Sequence, residues 1–357
     1  MSPSNIFSPH SVHLRKQKGY TLIELMVAMV LGLIIIGGVI SVFVSNQQAF
    51  RTNENLGRLQ ENARISFELM AREIRQAGGN PCGAQQVSNV LNDKTTQWSS
   101  NFDAGTVRGF DETQIATGIV ATGTAASERV AGTDAILVFS SNEQDGAVIT
   151  SHNPTAASLE VANVNHGLAE GMIVLVCDPD SAAVLQITNS SPGTNTTIVH
   201  NTGVSNPAPG NCSKGMGFPT VCTALGTGKT FKDGGFVTPL SVGVWYVGNN
   251  GRGGRSLYRV RRISPPPATG PSDAFDEIAE GVVNMQIDYL FRNKATNALD
   301  NTWTVATAAT DWSTAASSEV VAVRMRLVLE TVNVLGTNQQ PVSRELIHVV
   351  NLRNRSS

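Results

Sequence analysis

Hydrophobic positions change rhythm twice along this chain of 357 residues. Tyr20 to Val44 is a run of about 25 mostly apolar residues with a single charge, Glu24, and about 20 helical residues suffice to cross a bilayer core. Further on, Leu56, Leu59, Ala63, Phe67, Met70, Ile74 and Ala77 recur at steps of three and four. That period predicts one apolar stripe on a helix that needs a partner surface. On another face Arg51, Glu54, Arg58, Glu61, Arg64, Glu68 and Arg72 alternate in sign, each neighbouring pair worth a few tenths of a kcal/mol. This reads as a solvated, self-neutralising face. Gly78-Gly79-Asn80-Pro81 then ends the helix, because glycine and asparagine accept left-handed conformations and proline cannot continue the turn.

Past Pro81 the period becomes two. Val283, Met285, Ile287, Tyr289 and Phe291 alternate with polar neighbours, as do Val321, Val323, Met325, Leu327 and Leu329, so both stretches predict half-buried strands. Ala135 to Phe139, Met172 to Cys177, Val184 to Thr188, Thr196 to His200, Val242 to Val247, Leu257 to Ile263 and Glu345 to Leu352 are further strand candidates, with 248–254 as a glycine-rich hairpin connection. Asn92 to Gly132 and Asn189 to Gly217, rich in small polar residues, read as long surface loops. The expected fold class is α+β: a long N-terminal helix, membrane-spanning in its first half and amphipathic in its second, packed on a large β-rich, loop-rich head. The divisions expected are a leader at 1–19, a helix at 20–77 with its span at 20–44, and a head at 78–357.

Charge changes the picture by exclusion. A balance of 26 Lys+Arg against 28 Asp+Glu, net -2, lacks the basic surplus of a nucleic-acid carrier, so nucleic acid is not an expected partner. Arg15, Lys16 and Lys18 precede the apolar run, and flanking positive charge stays cytoplasmic, which places everything after Val44 outside. Four cysteines in an exported chain predict disulfides. Cys212 with Cys222 is favoured because the segment between them is short and turn-rich, leaving Cys82 with Cys177 to pin the helix end to the sheet.

Glu24 demands an explanation, since a carboxylate deep in a membrane costs at least about 2.5 to 3.5 kcal/mol. Its setting, Lys18-Gly19-Tyr20-Thr21-Leu22-Ile23-Glu24-Leu25-Met26-Val27-Ala28, closely resembles the processing motif of type IV prepilins and type II secretion pseudopilins. The resemblance implies that a prepilin peptidase cuts between Gly19 and Tyr20 and N-methylates Tyr20, whose place is usually taken by Phe. Glu24 then becomes the fifth residue of the mature chain. Its implied role is subunit assembly: the amino terminus of one chain and the carboxylate of a neighbour neutralise each other, turning two costly buried charges into one pair.

The stretch from Gly19 through Cys82, with Ala135 to Ser140, Pro239 to Val260 and Glu277 to Phe291, resembles PilW-type minor pilins. That implies a minor pilin that helps initiate type IV pilus assembly, sits at or near the tip, and supports adhesion or motility. The partners implied are other minor pilins, the major pilin, the prepilin peptidase, the inner-membrane assembly platform and a tip adhesin. The location implied is the inner membrane, single-pass with a periplasmic head, and then the pilus tip at the cell surface. The alternative is a minor pseudopilin of a type II secretion system.

No catalytic set emerges, so the expectation is a non-enzyme without cofactor or metal. Gly226-Thr227-Gly228-Lys229-Thr230 imitates the end of a phosphate loop, but Thr223 stands where the pattern needs glycine. Asp178 and Asp180 around Pro179 read as a turn, since a calcium cage needs six to eight oxygens. His152, His166, His200 and His348 are scattered without ligand spacing. Arg252, Arg255, Arg259, Arg261 and Arg262 read as a strand face paired with acids elsewhere rather than as a phosphate-binding patch.

Overall fold

The computed structural model describes residues 19–353 except 93, 95, 117, 142–144, 268–271, 310 and 333–339; Arg15, Lys16 and Lys18 of the leader lie outside the described residues. One helix, α1 (Leu22–Arg75), carries both hydrophobic rhythms. Contacts divide the chain after Glu54, so the apolar run belongs to one unit and the amphipathic stripe to the other.

Sixteen strands follow among the described residues: β1 (Val87–Asn89), β2 (Val107–Phe110), β3 (Ala135–Ser141), β4 (Ala147–Asn153), β5 (Ser158–Val161), β6 (Ile173–Cys177), β7 (Ala182–Gln186), β8 (Asn189–Ser190), β9 (Thr197–Val199), β10 (Phe236–Asn249), β11 (Arg255–Arg262), β12 (Asp273–Glu280), β13 (Val282–Asn293), β14 (Thr304–Val305), β15 (Ser318–Glu330) and β16 (Ser343–Asn351). The fold is α+β, a long apolar N-terminal helix and a large β-rich head. A smaller sheet runs β14-β13-β15-β16; a larger one runs β1-β7-β6-β10-β4-β5-β9-β8, with β11 and β12 added on one edge of β10 and β3 and β2 on the other.

Alternation decides which face each strand buries. In β13 and β15 the apolar alternates Met285, Ile287, Tyr289, Val323, Met325 and Leu327 turn to a core that also takes Leu59, Ala63, Met70 and Ile74 of α1. The helix stripe thus finds its partner surface on the sheets. Tyr289 crosses the backbone of Gly109 on β2, where any side chain would collide with the ring, so glycine is required there.

Strands β3 and β10 are buried on both faces. Ile136, Val138, Trp245 and Val247 point into the helix-side core, while Leu137, Phe139, Val244 and Tyr246 point into a second one. This is why Ala135 to Phe139 reads as a continuous apolar run instead of an alternating one. A third core gathers Ile149, Leu159, Val174, Leu185, Ile198 and Phe231 from β4, β5, β6, β7, β9 and the chain before β10.

Two expectations need correction. The segment 92–132 is not a surface loop: Trp98, Phe102, Ala116, Ile119 and Val120 from it cover the second face of β3 and β10. Its polar backbone survives burial because Arg129, itself buried, donates to the carbonyls of Phe110, Asp111, Gln114 and Thr133. Likewise 189–217 contributes β8 and β9 and buries Ile198, Asn211 and Met216. There Asn211 holds the chain by accepting from the Gln186 N–H and donating to the carbonyls of Gln186 and Asn201.

Candidate assembly site

Gly19 and Tyr20 stand exposed just ahead of α1, Tyr20 at 87% of its full surface. Thr21 and Glu24 close the helix start reciprocally. The Thr21 N–H and hydroxyl both donate to Glu24 Oε2 at 3.2 Å, and the Glu24 N–H donates to Thr21 Oγ1 at 3.3 Å. This is a capping box, which satisfies backbone donors that a helix start leaves open. Glu24 therefore has a local partner in Thr21, a role its spacing from Thr21 signals in the sequence.

Behind this cap the side chains from Leu22 to Val44 are almost all exposed, Leu33, Ile34 and Ile35 among them. A contiguous apolar surface of this extent is not stable in water; it requires lipid or neighbouring helices. α1 is long and apolar enough to cross a membrane, and none of its most apolar stretch is buried.

The second unit anchors its part of α1 to the sheets. Glu73 accepts from Trp245 Nε1 at 2.7 Å and pairs with an Arg259 guanidinium nitrogen at 2.5 Å. Both contacts favour the ionised carboxylate, yet burial outweighs them and raises its pKa above the ordinary glutamate value. Asn62 donates to the Glu280 carbonyl, Gly78 N–H donates to Phe139 O, and the Ser141 hydroxyl donates to Gly79 O. One disulfide joins Cys82 to Cys177 on β6, and a second joins Cys212 to Cys222.

The arginine cluster lies on and before β11: Arg259 takes Glu73 of α1, Arg255 donates to the Val283 carbonyl of β13, and the other three meet carboxylates of β12. Arg252 meets Glu277 and Glu280, Arg261 meets Asp276 at 2.8 Å, and Arg262 meets Asp273 at 3.1 Å. β12 itself escaped the sequence reading, since Asp273-Ala-Phe-Asp-Glu-Ile-Ala-Glu280 carries four carboxylates of low strand propensity. The carboxylates are stabilised by the cations opposite them.

Lys229 of the phosphate-loop lookalike forms a 2.8 Å ion pair with fully buried Asp178. Asp178 also accepts from the backbone of Asp180 and Ser181, the signature of a turn. His152 and His200, remote in sequence, lie with ring centroids 5.4 Å apart in the third core. Burial pushes the pKa of His152 down to about 4, helped by Lys229, and that of His200 down to about 3, helped by His152 and Lys214. No group of three or more His, Cys, Asp or Glu side chains gathers at metal-binding distance among the described residues.

Residues 14–40 match the Prokaryotic N-terminal methylation motif, and residues 244–351 match Type IV Pilus-assembly protein W. No protein of curated function matches the chain. The first match and the long apolar helix fit a membrane-anchored protein of the prepilin type. The second covers β10 from Val244 through β16, which includes the paired arginine ladder and the whole smaller sheet. Over these stretches the chain is similar to PilW-type pilins, a family of pilus assembly, and the matched families are structural ones rather than enzymes.

Proposed function

We propose that this chain is a minor pilin that helps initiate type IV pilus assembly and sits at or near the tip, where it supports adhesion or motility. The observation that carries the reading is the size of the head. Residues 78–357, roughly 280 of them, form a compact body with an expected diameter of about 48 Å. Helices packed as a fibre core lie about 8 to 10 Å apart. Heads this wide crowd one another along a shaft but have free space at an end. The match to the pilus-assembly family favours this reading over a type II secretion pseudopilin.

In this reading prepilin peptidase cuts after Gly19, Tyr20 is methylated, and the Tyr20 ammonium of one chain pairs with Glu24 of the next. Insertion into a fibre then exchanges the Thr21 cap on Glu24 for a full counter-charge. Contacts with other minor pilins, the major pilin, the assembly platform and a tip adhesin follow from the same position. Immunogold labelling of sheared pili tests it. Label at one end, with few copies per fibre, supports the tip; label spread evenly along the shaft overturns it.

A further inference from the structure

Strand β10 changes partners along one of its edges. Pro239 is the last residue there paired with β6, opposite Val174, and Gly243 is the first paired with β11, opposite Arg261. Leu240, Ser241 and Val242 keep their pairing to β3 on the other edge. On the divided edge no strand lies beside them among the described residues. The walls approach again at Gly171, where an added Cβ would lie 3.0 Å from Pro266 and 3.1 Å from Pro207. Between the diverging strands is a cleft of about 1000 Å³ that Leu240, Ser241 and Val242 line.

Its chemistry selects an occupant. A strand edge without a neighbour presents backbone donors and acceptors that an extended polypeptide satisfies by pairing. Met172, Ile173 and Ile263 give aliphatic contact along the sides. Arg259, Arg261 and Arg262 line the cleft against one carboxylate, Asp145, among the described residues. Their ion-pair partners Glu73, Asp276 and Asp273 are not part of the lining. No tryptophan or tyrosine lines it among the described residues, and its rings, Phe139 and His166, are only 1% and 7% exposed, so little ring face is offered for the stacking that sugars use. The chain's own leader, with Arg15, Lys16 and Lys18, has the wrong sign to fill it.

We propose that this cleft is a docking site for an extended acidic peptide segment of a partner protein, which pairs with the Leu240–Val242 edge and sets carboxylates against Arg261 and Arg262. The site is independent of where the subunit sits in a fibre.

The test uses the full chain in detergent micelles and a fluorescein-labelled peptide of alternating glutamate and valine, read by fluorescence anisotropy. Two control peptides carry glutamine for glutamate or methyl groups on alternate backbone nitrogens. The acidic peptide is expected to saturate the protein, and each control to bind on the order of ten-fold more weakly, as the loss of a charge-assisted contact or of strand pairing implies. Arg261→Gln, at a side chain 41% exposed, leaves the cores intact and should weaken the acidic peptide by a similar factor. A photoreactive version should attach within 240–242 or to the facing ends of β6 and β11. Four results overturn the proposal: no saturation at about 1 mM peptide, where even a weak site fills; equal binding of either control; indifference to Arg261→Gln; or attachment elsewhere.

Discussion

One helix, two fates: up to Val44 the large apolar side chains of α1 are exposed, whereas from Asn55 onward the apolar stripe is buried against two sheets. Within the first part the run 20–44 carries one acid, Glu24, among mostly apolar residues, so its stabilisation must come from lipid or from other chains. The second part carries an acid too, Glu73, but there the chain itself supplies the cation and the indole N–H. Two carboxylates on one helix thus show the same problem solved internally in one region and left open in the other.

The largest break in this contrast comes from the covalent tie. Removing the Cys82–Cys177 bridge, which spans a sequence separation of 95, should cost about 4 to 5 kcal/mol in the chain-entropy treatment. Losing Cys212–Cys222, separation 10, should cost about 3 kcal/mol. Guanidinium unfolding of Cys82→Ser and Cys212→Ser, followed by tryptophan fluorescence, should preserve that order; equal losses would show that loop closure does not set it.

Next in size is Glu73→Leu, which strands Arg259 and the Trp245 N–H. The expected loss is about 3 to 5 kcal/mol, and adding Arg259→Met should recover most of it, because removing both charges abolishes the desolvation cost that removing one exposes. Among the described residues, Glu24 is held by Thr21 and meets no such cation. If Glu73→Leu alone were neutral in the same unfolding assay, the internal solution would be ornamental.

His152 and His200 supply a pH test of the head. Both titrate near 6.5 when unfolded but at about 4 and about 3 when buried, so below pH 6.5 the unfolded chain binds more protons. Stability therefore falls as pH drops from 6.5 toward 4, with His200 contributing on the order of 3 kcal/mol of that fall. Asp134, raised to about 6 by burial, acts in the opposite sense between about 6 and 3.8, where the folded state is the one that binds the proton more readily. The difference between wild type and His200→Phe removes the Asp134 contribution. The variant should show the shallower acid slope; parallel slopes would mean His200 charges without penalty. The smallest effect belongs to the exposed ladder, where Arg64, 3.5 Å from Glu61 and 3.9 Å from Glu68, should change stability by no more than about 0.5 kcal/mol on substitution by alanine.

Legibility in the sequence followed periodicity. α1 and strands β13 and β15 announce themselves because each buries one face and leaves the other polar, and β3 does so as an unbroken apolar run. β12 did not, because its side chains answer charges on β11 that only the fold brings opposite. The burial of 92–132 was equally hidden: what makes a polar segment tolerable inside is Arg129 reaching carbonyls up to 19 residues away. Nor does spacing reveal that His152 and His200 meet. At the helix start the reverse holds, since Thr21 three residues before Glu24 is a local signal, and the structure fills it as a capping box.

In the proposed assembly Glu24 is the charge that other chains satisfy. The decisive measurement is the amount of Glu24→Ala subunit in sheared pili, quantified by mass spectrometry beside wild type and beside Gly19→Val, a variant expected to stay uncut in the membrane. Glu24→Ala should reach the membrane and show the mature mass, because losing the carboxylate eases insertion. It should then be strongly depleted from pili. Normal incorporation of the correctly cut variant would contradict the account.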